Sequence, residues 1–321
     1  MATAHHSRGA IVFCSGVVAA LLVLPPFGAA ATAAGAGLDS NCTRSCGNIS
    51  IPYPFGIELG CYHASGFNLT CRKNSRRHGP PELFLGDGTV QVLEISVVPN
   101  GTVRIRSHRV EITDDGGSTA IGTWGAGLPR GGPLFLSEET SNVAVVGCDV
   151  QVEVRGGAHD DLIGSCTALC PPSPAHRGNI IVGFRSGACT GIGCCQSPIT
   201  IGYSFYNVQI HMFNRSSGAE YPIYIADGGF NDTDDMFQQI HQVGAKLDWI
   251  INNSTCPTNT SAPECRSAHS YCQNSVANGH GGYLCQCSDG YRGNPYVTGG
   301  CKGSIQPIVV LSIAVKTKLC K

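Results

Sequence analysis

The sequence predicts a mostly β, disulfide-rich, multi-module secreted chain. Three observations carry this: 18 cysteines in 321 residues, an apolar leader, and short β-branched runs cut by 42 glycines and 18 prolines. So many cysteines fit an oxidising compartment, where thiols pair, and not a reducing one. Glycine and proline make up about a fifth of the chain, below the ~25–30% of a low-complexity disordered segment, so a folded chain with many turns is expected. Charged residues are 13% against a typical ~25%, and the net charge is −1. Neutrality of this kind argues against a nucleic-acid binder or a polybasic membrane ligand.

Taken in order, His5, His6 and Arg8 precede a 14-residue apolar run, Ile11 to Leu24, followed by Pro25-Pro26 and small residues. The run is shorter than the ~20 residues of a spanning helix, and Ala31-Thr32-Ala33 has the small-x-small form of a cleavage site. Residues 1–33 therefore read as a signal peptide, with the mature start near Ala34. Cys14 leaves with that leader and Cys320 sits in a C-terminal tail, so the body from Cys42 to Cys301 holds 16 cysteines, an even number that suits full pairing. Glycosylation sequons stand at Asn41, Asn48, Asn68, Asn100, Asn214, Asn231, Asn252, Asn253 and Asn259. Roughly two would arise by chance, so the surface is expected to face the secretory pathway. Asn252 and Asn253 overlap and compete for one glycan.

Cysteines crowd at 42–71, 148–195 and 256–301 and are absent from Arg72 to Gly147, which must bury its own core. There Val90, Val92 and Glu94 alternate with Gln91, Leu93 and Ile95, and Thr102 to Arg106 follows the turn Pro99-Asn100-Gly101, which suggests two paired strands. Val143 to Val146, Val150 to Val154, Ile180 to Phe184, Ile199 to Phe205 and Val208 to Phe213 are further short strand-like runs. Met236, Ile240, Val243 and Leu247 fall at helical offsets, although Leu247 to Ile251 reads equally well as a strand.

The first module holds Cys42-x3-Cys46-Gly47, then Ile51-Pro52-Tyr53-Pro54-Phe55-Gly56-Ile57, Gly60-Cys61-Tyr62 and Phe67-x-Leu69-x-Cys71. This ordered set resembles the galacturonan-binding domain of plant wall-associated receptor kinases. The prolines suggest an extended segment with Tyr53 and Phe55 on one side. Two readings stay open: the rings pin a disulfide-held loop to the core, or they form a sugar-stacking platform. The second module carries Val146-Gly147-Cys148-Asp149, Cys166-x3-Cys170, Cys189-x-Gly191-Ile192-Gly193-Cys194-Cys195-Gln196 and Leu247-Asp248-Trp249-Ile250. It resembles the associated cysteine-rich domain of the same receptors. Adjacent Cys194 and Cys195 are expected to bond distant partners. The ten cysteines Cys42, Cys46, Cys61, Cys71, Cys148, Cys166, Cys170, Cys189, Cys194 and Cys195 allow about 945 pairings, and the sequence chooses none of them.

The third module, Cys256-x8-Cys265-x6-Cys272-x12-Cys285-x-Cys287-x13-Cys301 with Gly290-Tyr291-x-Gly293, resembles an EGF-like domain. So small a unit relies on bridges in place of a sufficient core. The resemblance implies the pairs Cys256–Cys272, Cys265–Cys285 and Cys287–Cys301. Calcium-binding members carry an acidic run before the first cysteine, where this chain has Asn252-Asn253-Ser254-Thr255, so no tight calcium site is expected. Asn274 is the one weak echo of a ligand position. The expected organisation is 1–33 signal peptide, 42–110 galacturonan-binding-like β module, 111–251 associated cysteine-rich β module, 256–301 EGF-like domain and 302–321 tail.

The resemblance implies an extracellular, wall-facing ectodomain that binds de-esterified pectin or oligogalacturonides, together with other wall proteins or receptors, and no nucleic acid. Catalysis, metal and cofactor are not expected. There is no Gly-x-Ser-x-Gly or His-Glu-x-x-His motif, and Asp114-Asp115, Asp160-Asp161 and Asp234-Asp235 read as solvated turn charges. Residues 305–315 are too short and too polar to span a bilayer, and no kinase signature follows. The expectation is a secreted form truncated before the spanning helix and kinase, membrane-bound only as part of a full-length receptor. Arg72, Lys73, Arg76, Arg77, Arg104, Arg106 and Arg109 outweigh Glu82, Asp87 and Glu94 by four charges, whereas 111–161 is net −7. Arg104, Arg106 and His108, at alternate positions, are expected to form a basic row on one strand face, with Val103 and Ile105 inward. The binding candidates are thus Arg104, Arg106, His108, Arg72, Lys73, Arg76, Arg77, Tyr53 and Phe55. The alternative from another class is a secreted protein-interaction module acting through its EGF-like domain, with no polysaccharide binding.

Overall fold

Alternating apolar residues build the molecule. The computed structural model describes residues 41–73, 79–113, 117–170, 189–213, 221–228, 243–258, 261–275 and 280–303. These hold twenty strands, no helix and eight disulfides. The expected signal peptide, the run Ile180 to Phe184, and Met236 and Ile240 lie outside the described residues.

A small hairpin of β1 (Ser45–Cys46) and β2 (Ile49–Ser50) opens the body. A six-stranded antiparallel sheet follows, in the order β3 (Leu69–Arg72), β4 (Glu82–Leu85), β5 (Val90–Ser96), β6 (Thr102–Arg106), β16 (Gly244–Trp249) and β9 (Leu134–Leu136). Its inward rows are Leu83, Val92, Ile105 and Ala245, then Val103, Leu247 and Leu136, all buried. The expected β5–β6 hairpin is present. A register shift between Val92 and Glu94 breaks the simple alternation, so that Val92 and Ile95 both pair with inward residues of β6. Gly101 closes the turn at φ +55°, and a Cβ there would come within 2.9 Å of the Trp249 ring. Only glycine combines that backbone with that contact.

The expected boundary after residue 110 does not separate sheets. Strand β16 belongs by sequence to the second module, yet it lies between β6 and β9 and completes the first module's sheet. Its Ala245 and Leu247 are fully buried, and the partners that cover them lie more than a hundred residues away. The alternative left open for Leu247 to Ile251 thus resolves as a strand through Trp249.

A five-stranded sheet runs β12 (Asp161–Ala168), β11 (Val150–Gly156), β14 (Tyr206–Met212), β8 (Thr119–Trp124), β7 (Ile112–Thr113). Val150, Val152 and Val154 are buried while Gln151, Glu153 and Arg155 face outward, the period-2 signature of a half-buried strand. A three-stranded sheet runs β13 (Cys194–Pro198), β10 (Ser141–Val146), β15 (Ile223–Asp227). Ile199 to Phe205 is not a strand. Its backbone is held partly by main-chain bonds, from Ile199 N to Ser141 O and from Leu136 N to Tyr203 O, and partly by side chains: Gly202 N donates to Glu138 Oε1 at 3.0 Å and Tyr203 N to the Tyr206 hydroxyl at 2.7 Å. One buried cluster runs through all three large sheets and on to Tyr283 and Tyr296 of the last module.

That module consists of β17 (Ser270–Asn274) with β18 (Tyr283–Cys287) and β19 (Tyr291–Gly293) with β20 (Cys301–Gly303). Its bridges are Cys256–Cys272, Cys265–Cys285 and Cys287–Cys301. The other five are Cys42–Cys61, Cys46–Cys71, Cys148–Cys170, Cys166–Cys195 and Cys189–Cys194. Of the adjacent pair, Cys195 reaches a partner 29 residues away, but Cys194 bonds Cys189 only five residues away, which corrects the expectation of two distant partners. Tight turning at Gly191 and Gly193, both at positive φ, brings that near neighbour into reach.

Candidate functional site

Strand alternation turns Val103 and Ile105 inward and Arg104 and Arg106 outward. The strand ends at Arg106, so His108 does not continue the ladder as expected. The segment after it is pinned at Ser107 and Val110. Ser107 is buried; its N donates to Val243 O at 2.8 Å and its Oγ accepts from Trp124 Nε1 at 3.1 Å. Val110 N donates to Ile223 O at 2.9 Å. His108 and Arg109 are left exposed between these anchors. Together with Arg106 they line a cleft of about 210 Å³ whose far wall is Thr89, Val90 and the 124–128 loop.

Arg104 is set apart from that cleft. Its strand neighbours are Glu94 and Lys246, and its Nε meets Asp227 Oδ2 at 3.1 Å. The basic row is therefore divided: Arg106, His108 and Arg109 share one cleft, and Arg104 is half spent on an ion pair. Arg109 carries a charge that the expected row omitted. Its signal was its place within the same basic segment.

The second basic group lies three strands away on β3, about 14 Å at the usual strand spacing. Arg72 Nη2 donates to Asp87 O at 3.0 Å, and its guanidinium lies 5.2 Å from the Phe84 ring centre. Lys73 is exposed just beyond the strand. Arg76 and Arg77 lie outside the described residues. Phe84, half-buried on the outer face, is an aromatic that sequence reading missed. Its signal was the alternation in Glu82-Leu83-Phe84-Leu85, which sends it away from the buried Leu83 and Leu85.

Tyr53 and Phe55 do not form a platform. The segment turns at Tyr53-Pro54, with Phe55 N donating to Pro52 O at 2.9 Å, in place of the expected extended run. Phe55 is 0% exposed, its ring edge-on to Phe67 at 5.1 Å and to Trp249 at 5.6 Å. Tyr53 is 6% exposed, with the Arg266 guanidinium 5.0 Å from its ring centre. Its carbonyl accepts from Asn294 Nδ2 at 2.6 Å. The last module docks directly on Tyr53 through Arg266 and Asn294, and behind Phe55 its Tyr296 packs on Trp249 at 5.5 Å. Packing is the role the fold gives them.

The same junction contains a polar knot. Glu264 accepts from Asn252 Nδ2 at 3.0 Å and from the Tyr283 hydroxyl. Burial pushes the Glu264 carboxyl up, but those two hydrogen bonds together hold it below the ordinary value. Burial of His63 beside it holds that imidazole below its usual range. Asn274 Oδ1 is occupied by the Cys256 amide at 2.7 Å. A further cleft of about 270 Å³ is lined by Glu138, Glu139, Asp248 and Lys246. Burial raises the Asp248 carboxyl. With three acids to one lysine, this cleft suits no polyanion.

A family model described as wall-associated receptor kinase galacturonan-binding matches residues 42–107, so the match ends beside Arg106. Wall-associated receptor kinase 2 of Arabidopsis thaliana is 29% identical over 273 residues, which cover 81% of this chain and 34% of that protein. Its wall-associated receptor kinase 4 is 30% identical over 278 residues, covering 81% and 34%. The chain is similar to wall-associated receptor kinase ectodomains. That similarity reaches beyond the first module, since wall-associated receptor kinase-like 3 aligns with 89% of the chain at 28% identity. The chain spans about a third of the length of the first curated relatives it matches. Among the described residues no helix is long and apolar enough to cross a membrane.

Proposed function

We propose that this chain binds de-esterified galacturonan at the extracellular face of the secretory route, as a binding module without catalysis. The observation that carries the reading is the cleft formed by Arg106, His108 and Arg109 at the end of the segment that matches a galacturonan-binding family. A polyuronate repeats a carboxylate along its length. Guanidinium groups bind carboxylates with paired, charge-assisted hydrogen bonds, stronger than neutral ones. The cleft recesses Arg106 partly from water, which spares the interaction some of the screening that reduces a fully exposed pair to ~0–1 kcal/mol. Arg72 and Phe84 offer the same polymer a cation and an aromatic surface farther along the sheet. Eight disulfides suit the oxidising compartment that such a role requires.

The test is retention on graded pectins at two salt concentrations. Arg106→Gln with Arg109→Gln is expected to weaken binding to de-esterified pectin about tenfold, as the loss of ~1.4 kcal/mol would. Fully methyl-esterified pectin is expected to bind poorly to the unaltered chain. Binding to de-esterified pectin weakens as salt shortens the ~10 Å screening length of 0.1 M solution. An unchanged affinity in the double variant removes the cleft from the reading. Loss of retention only on disrupting the 256–301 module would favour a protein-interaction role instead.

A further inference from the structure

Asn252-Asn253-Ser254-Thr255 contains two overlapping glycosylation sequons, and the two asparagines occupy opposite situations in the fold. Asn252 is half-buried at the junction with the last module. Its carbonyl accepts from Tyr283 N at 3.0 Å, and Ile251 N donates to Tyr283 O at 2.9 Å, so the backbone here is part of the docking contact. Its Nδ2 donates to Glu264 Oε1 at 3.0 Å, while its Oδ1 accepts from both the amide and the hydroxyl of Ser254 at 2.9 Å. Both polar atoms of the side chain are engaged. The Glu264 carboxylate that accepts this hydrogen bond also accepts one from the Tyr283 hydroxyl. Asn253 is exposed. Both asparagines border an open cleft of about 660 Å³ with Phe67, Arg130, Pro133, Ile250 and His280, so it is burial and hydrogen bonding, not the cleft, that separate them.

We propose that the N-glycan of this tandem sits on Asn253, and that Asn252 is kept unmodified as a structural tie between the body and the last module. In the transfer a bond forms between the anomeric carbon of the sugar and Asn253 Nδ2. The bond from that carbon to the pyrophosphate oxygen of a lipid-linked oligosaccharide donor breaks, the lipid pyrophosphate departs with the bonding pair, and one Nδ2 proton is taken up by base. Transfer acts on the nascent chain, so folding is the selector. A sugar on Asn252 Nδ2 replaces one of its two hydrogens at a nitrogen 3.0 Å from Glu264, inside the docking contact. Chains modified there have the tie disturbed and are held back from secretion, whereas Asn253 is exposed and carries a sugar outside that set of hydrogen bonds.

The experiment secretes the full chain from plant cells and removes N-glycans enzymatically in ¹⁸O water. Each formerly glycosylated asparagine becomes an ¹⁸O-labelled aspartate, which peptide mass spectrometry locates. The label is expected at position 253 and not at 252. Asn253→Gln is expected to lose this glycan while the chain is still secreted. Asn252→Gln is expected to lower the secreted yield, and the chains that are secreted are expected to keep the glycan at 253 and to melt at a lower temperature. Label at 252, label at neither position, or loss of the 253 glycan in the Asn252→Gln chain overturns the proposal.

Discussion

Replacing Phe55 by alanine distinguishes a packing ring from a sugar-stacking one. The ring is fully buried and lies edge-on to two aromatic neighbours, Phe67 and Trp249, and Trp249 in turn carries Tyr296 of the last module. A phenylalanine buries at least ~150 Å², and at ~25 cal/mol per Å² its loss removes about 4 kcal/mol. Mutational series for buried aromatics give a similar ~3–5 kcal/mol once the cavity is included. For a unit of this size, each kcal/mol lowers the melting temperature by about 2–4 °C, so a drop on the order of 10 °C is expected. The assay is thermal unfolding under non-reducing conditions, paired with pectin retention measured well below the lowered midpoint. The expected result is a large loss of stability with retention nearly unchanged. A normal melting temperature with abolished retention would refute the reasoning and return the ring to the ligand.

Three further outcomes follow from the geometry. Arg104→Gln breaks the pair with Asp227, but the arginine side chain is 50% exposed, so stability is expected to change by less than about 1 kcal/mol in chemical denaturation. Cys265→Ser with Cys285→Ser opens a loop with a sequence separation of 20, and chain entropy sets the expected loss at roughly 3 kcal/mol. It is read as early protease cleavage within 256–301 while the body stays intact. The pH dependence has a definite sign. His63 and His280 are held below the ordinary 6.5 mainly by burial, so folding favours their neutral forms. Their contribution is present above 6.5 and is lost as pH falls below it through the folded values, and Glu264, held below 4.5, adds a loss of the same sign in stronger acid. Asp248, raised above 3.8 by burial, acts oppositely: its contribution is present in acid and is lost as pH rises through its folded value. Melting temperatures are expected to fall on acidification from neutrality, and a chain carrying His63→Gln and His280→Gln is expected to show a flatter profile.

Features encoded within a short stretch were legible from the sequence. The hairpin of Val90–Ser96 and Thr102–Arg106 follows from alternation around one turn, and the strand at Val150–Gly156 from three valines at period 2. The mostly β class and the division of the cysteines into groups needed nothing beyond spacing. Tertiary structure decided what depended on distant partners. Leu247 is helix-compatible by its offsets, but it becomes strand because Val103 and Leu136 supply ladder partners on both sides. Arg104 reads as one of a row until Asp227, 123 residues later, takes its guanidinium. Phe55 and Phe84 look alike in a linear sequence. Alternation sends Phe84 to the outer face, where it is half-buried, but the burial of Phe55 is fixed only when Phe67 and Trp249 close over its ring. Local patterns fix which face of a strand a side chain occupies; what covers that face depends on chain that the pattern does not contain.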